Sequence, residues 1–147
     1  MRVAAVVVGS IGALLGVFKG LYSILTWALM GLRPGGAGVL NSYTYVLWAA
    51  NAVLVASCIV ALVGALWTSR GSQRMGGALF LAGVTGLAVA MVSFVVVQAT
   101  VLAPQIPGMP TTPNTLFYVV WLLPVPFLLI AAGLSLFAGR GETRPAR

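Results

Sequence analysis

Residues 43–67 read YTYVLWAANAVLVASCIVALVGALW, twenty-five positions without a charge. A helix needs about 20 mainly apolar residues to cross the hydrocarbon of a bilayer. Only helices and closed barrels satisfy the backbone there. The stretch is continuously apolar rather than alternating, and far longer than a barrel strand of about 10 residues. It predicts a membrane-spanning helix. Working outward, the same texture recurs over 3–32, with one interruption at Lys19, and again over 76–101 and 115–138. The connections, 33–42, 68–75 and 102–114, are short. The expectation is therefore an all-α integral membrane protein, a bundle of four transmembrane helices with short loops. Residues 1–139 form the membrane domain and 140–147 a short basic tail.

Composition agrees. Of 147 residues, 61% are hydrophobic and 6% charged, where a soluble domain carries roughly a quarter charged residues. Mean hydropathy is +1.09. Eight Arg or Lys face one acid, Glu142, and there is neither Asp nor His. That removes paired-carboxylate catalysis, His-based triads, His-ligated zinc or haem and carboxylate calcium sites. No catalytic residue, cofactor or metal is expected, and the reading is of a protein that is not an enzyme.

Arg2, Arg70, Arg74, Arg140, Arg144 and Arg147 fall on one side of a four-span model, against Arg33 and Lys19 on the other. The positive-inside bias places both termini in the cytoplasm of a cell that holds the protein in its plasma membrane. Tyr22, Trp27, Tyr43, Tyr45, Trp48, Tyr118 and Trp121 cluster toward the outer ends and Trp67 toward an inner one, as interfacial aromatics do. The basic start and apolar run also fit a signal peptide, but no small-x-small site closes a short apolar core. Lone Cys58 offers no disulfide or redox pair. The arginines are spread as topology requires, so membrane lipids, not nucleic acid, are the expected contact.

Small residues form rows. Gly9, Gly12, Gly16 and Gly20 mark the first span, the last three at intervals of four on one helix face. Gly86 belongs to a looser row in the third span with Ala82 and Ala90. Helices in lipid associate through close backbone approach across such residues. Two readings stand: packing inside the bundle, or a face for self-association or another membrane subunit.

Lys19 is the one charge inside a span. Seventeen residues of helix above Arg2 amount to about 25 Å of rise, so its ammonium is expected to snorkel to the outer headgroups of a core ~30 Å thick. The alternative is a buried Lys19 with Asn51 and Gln98 as polar neighbours at similar depth. Its counter-charge must then come from a lipid or another subunit.

Pro104, Pro107, Pro110 and Pro113 recur every third residue, the polyproline II period, and predict a stiff strap over the outer face. Pro124 and Pro126 predict a kink in the fourth span, freeing the carbonyls of Val120 and Leu122. The glycines of 34–38 lack a P-loop ending and read as a turn. Together these features favour a non-catalytic accessory or scaffold subunit of a larger membrane complex. The alternative is a homo-oligomeric small channel or carrier lined by Lys19, Asn51 and Gln98.

Overall fold

The computed structural model describes residues 1–31, 42–105, 108, 110–113 and 115–141. They form α1 (Arg2–Gly31), α2 (Ser42–Ser69), α3 (Gln73–Val97), a π-helical turn (Gln98–Leu102), a single turn α4 (Ala103–Gln105), α5 (Thr115–Leu122) and α6 (Pro124–Gly141). No strand occurs among the described residues. Four stretches are long and apolar enough to cross a membrane: Arg2–Leu29, Tyr43–Ser69, Gln73–Leu102 and Thr115–Ala138. The all-helical reading and the four apolar helices thus hold. The third runs slightly further than 76–101, from Gln73 through the π turn to Leu102.

The helices pack in a ring. α2 packs on α1 and α3, and α6 closes the ring against α1 and α3. Arg2 reaches to 4.0 Å of the position a Cβ would take on Gly71, in the α2–α3 turn. The Thr68 and Ser135 hydroxyls, on α2 and α6, lie 3.2 Å apart. One end of the bundle thus holds the start of α1, the α2–α3 turn with Arg70 and Arg74, and the far part of α6. That turn is tight because Gly71 takes φ +98°. Its N–H donates to the Thr68 carbonyl, and that of Ser72 to Trp67, which closes the helix end as a Schellman cap.

Small residues set the helix spacing. A Cβ on Gly83 would lie 3.0 Å from the Ser57 carbonyl oxygen and 3.1 Å from Ala61 Cβ, and one on Gly86 would strike the Ser57 hydroxyl. The first-span row is used within the chain as well. A Cβ on Gly9 would meet the Phe80 ring, and one on Gly12 would come to 2.5 Å of Phe127 Cβ. On Gly16 it would strike the Cys58 sulfur, and on Gly20 it would approach Val55 at 2.5 Å. This face is covered by α2, α3 and α6, so it is not free to receive a copy or a foreign helix. Outward, α1 presents Val7, Ile11, Leu14, Phe18, Leu21 and Leu25, and α3 presents Val89, Val92 and Val96, all largely exposed. These outward faces are apolar.

The proline strap does not form as expected. Pro104 lies inside α4, as helix. Gly108 turns the chain at φ +78°, a conformation outside polyproline II that glycine alone adopts freely. Thr111 and Thr112 form a bend. Pro107 falls outside the described residues, as do 32–41, with the turn expected at 34–38, and Glu142 with the rest of the tail beyond Gly141.

Candidate functional site: a lysine under an aromatic wall

The site begins with the break in the fourth span. α5 ends at Leu122 and α6 starts at Pro124, where the missing N–H interrupts the helical ladder. Below the break, α6 lies close to α1: a Cβ on Gly12 would be 3.2 Å from the Pro124 carbonyl oxygen, and one on Gly16 3.2 Å from Pro124 Cγ. Above it, α5 turns away, and α1 and α5 make few or no close backbone approaches. The cleft between them continues the face of Gly12 and Gly16. Lys19, Ser23 and Trp27 follow on that face at helical spacing.

Lys19 reaches across to α2. Its Nζ donates to Asn51 Oδ1 at 3.2 Å. Asn51 is fully buried, and its own Nδ2 donates to the Leu47 carbonyl one turn back at 2.8 Å. That bond uses the amide's donor side and turns its acceptor toward the lysine. From α5, Trp121 sets its ring beneath the ammonium, with Nζ 4.0 Å from the ring centroid, well within cation–π range. The structure thus gives the direction of Lys19, which depth along the helix alone does not. Lys19 faces the bundle, half-buried, and its ammonium is held at the level of Asn51.

The ring is held by further aromatics. Trp121 stacks on Phe117 at 5.2 Å and on Phe94 at 6.3 Å between centroids. Tyr43 packs edge-on against Phe94 at 6.0 Å, and Trp27 against Tyr43 at 6.2 Å. Beside Lys19 lies a cavity of about 290 Å³, walled by Ser23, Trp27, Tyr43, Leu47, Phe117 and Trp121 among others. An ammonium carries three donors. One is used on Asn51 and the face of Trp121 takes part of the charge, and no carboxylate lies among the described residues.

Gln98 does not join this group. It is buried at the π turn, where its amide nitrogen donates to the Pro110 carbonyl at 3.0 Å and ties the outer loop to the end of α3. Its Oε1 has no hydrogen-bond partner among the described residues, and it does not line the lysine cavity. Lys19 and Asn51 therefore form a pair, not the triad expected. Trp121 is the member that residue reasoning placed only as an interfacial aromatic. The signal for it was present, since Pro124 lies three residues on and marks the kink that aims α5 at the cleft.

The group has one cation, one amide and one indole face. Together they can hold an anion. Compared with protein-family models, with curated proteins and with solved structures, the chain matches none.

Proposed function

We propose that this protein is a non-catalytic accessory subunit of a larger assembly in the plasma membrane, and that its Lys19 cavity holds an anionic group supplied by another molecule. The observation that carries the reading is the half-buried ammonium bonded to a neutral amide and a ring, with no acid among the described residues to meet it. The chain's one acid, Glu142, directly follows Gly141. Seventeen residues of helix separate that glycine from Pro124, about 26 Å of rise. Co-purification in mild detergent tests the accessory role. Larger membrane subunits should accompany the tagged chain in fixed ratio, and a chain that runs alone or only with itself contradicts it.

Membrane insertion is supported by the outward faces of the four helices, which carry Val, Leu, Ile and Phe where a water-soluble bundle would carry charge. The gathering of Arg2, Arg70 and Arg74 at one end supports cytoplasmic termini. Native Cys58 is buried, so single cysteines introduced elsewhere report sidedness cleanly. In intact cells, Arg33→Cys should react with a membrane-impermeant maleimide and Arg144→Cys should react only after lysis. The reverse pattern overturns the orientation.

A further inference from the structure

We propose that the anionic group received at Lys19 is the phosphate of an outer-leaflet anionic phospholipid, entering sideways through the cleft between α1 and α5. The inference rests on the binding role given to this cavity above and names its ligand.

Three observations point to a lipid headgroup. The first is depth. Lys19 stands about 25 Å of helical rise above Arg2, and Asn51 about 24 Å above Trp67. In a hydrocarbon core ~30 Å thick that puts the pair close beneath the outer boundary, where a lysine reaches the phosphate layer. The second is the wall. Trp121, Phe117, Tyr43 and Trp27 surround the cavity, and Trp and Tyr are the residues that settle at the headgroup level. The third is access. The kink at Pro124 parts α5 from α1, so the cleft opens between two helices whose outward side chains, Leu116, Val119 and Leu21, are apolar and exposed. The phosphate takes the donors of Nζ that Asn51 leaves, and the glycerol and upper acyl carbons lie against the aromatic wall. A volume of about 290 Å³ suits a headgroup and the first part of a chain, not a whole lipid.

A subunit carboxylate in the same cleft is the competing occupant, and one experiment separates the two. The chain is purified with its co-purifying partners, exchanged into nanodiscs of equal phosphatidylglycerol and phosphatidylcholine, released, and weighed by native mass spectrometry. The wild type should retain phosphatidylglycerol in near one-to-one ratio. Lys19→Met should retain about tenfold less, the loss of one charge-assisted hydrogen bond, with partner subunits unchanged. Lys19→Arg, which keeps charge and donors, should restore retention. Circular dichroism in the same discs checks that each variant is folded. If Lys19→Met releases a partner subunit while bound phospholipid is unchanged, the ligand assignment fails and the accessory reading survives. If the wild type retains no phosphatidylglycerol above phosphatidylcholine, the assignment also fails. A wild type that retains phosphatidylglycerol but brings no partner leaves the lipid site standing and removes the accessory role.

Discussion

Replacing Gly16 with leucine should destabilise the bundle by about 3 kcal/mol or prevent its folding, the upper range for overpacking a well-filled interior. The side chain would enter where Cys58 sulfur and Pro124 Cγ already lie against α1. Cys58 is fully buried and Pro124 belongs to the kink, so neither can withdraw without moving its helix. The loss should appear as a lower midpoint for thermal unfolding in detergent, followed by tryptophan fluorescence. Adding Cys58→Ala should recover part of it by removing the sulfur. Val7→Leu, on the exposed face of the same helix, should change stability by no more than about 0.5 kcal/mol. If Gly16→Leu leaves the midpoint unchanged and alters only the association state, the row faces outward and the packing described for α1 is wrong.

The second large effect concerns Asn51. An interhelical hydrogen bond in a membrane is worth on average about 0.6 kcal/mol, so the bond alone predicts little. Asn51→Leu does more than delete a bond, because it leaves the half-buried Lys19 ammonium with a ring and no acceptor from the chain. Stranding a buried polar group costs about 1–3 kcal/mol, more when it is charged. We expect a loss of about 2 kcal/mol for Asn51→Leu in detergent free of anionic lipid. Lys19→Met should cost less, because the group it strands, the buried Asn51 Oδ1, is neutral rather than charged. The double variant should then be more stable than Asn51→Leu alone. Reversible unfolding of the four proteins closes the cycle. Additive effects would show that Lys19 and Asn51 do not depend on each other.

Much of this architecture was legible in the residues because a bilayer leaves few solutions. A run such as 43–67, without charge, has one way to satisfy its backbone, so four helices follow from composition and length. The Pro124 kink was legible for the same local reason, a missing N–H. The fate of Lys19 was harder. Rise along the helix gives depth but not direction, and depth alone suggested snorkelling. The register of Lys19 with Gly12, Gly16 and Ser23 carried the direction, since a face lined with glycine is the face that packs. Gln98 could not be placed from depth either, because its partner is a backbone carbonyl of the loop at Pro110. The prolines at 104–113 misled for a further reason. Their spacing fits polyproline II, but Pro104 is tolerated in the short turn after the π bulge and Gly108 reverses φ. Period describes an edge only while the backbone keeps one conformation.

The ammonium inside the bundle is assigned to a lipid phosphate, and Lys19 is the only lysine. Labelling lysine with ¹⁵N at Nζ therefore marks a single atom. Rotational-echo double resonance between that nitrogen and lipid ³¹P, in phosphatidylglycerol bilayers, measures their separation. A charge-assisted N–H···O bond of about 2.8 Å predicts strong dephasing, corresponding to a phosphorus within about 4 Å. A lysine signal that ³¹P leaves unattenuated would place the ammonium away from any headgroup and contradict the account.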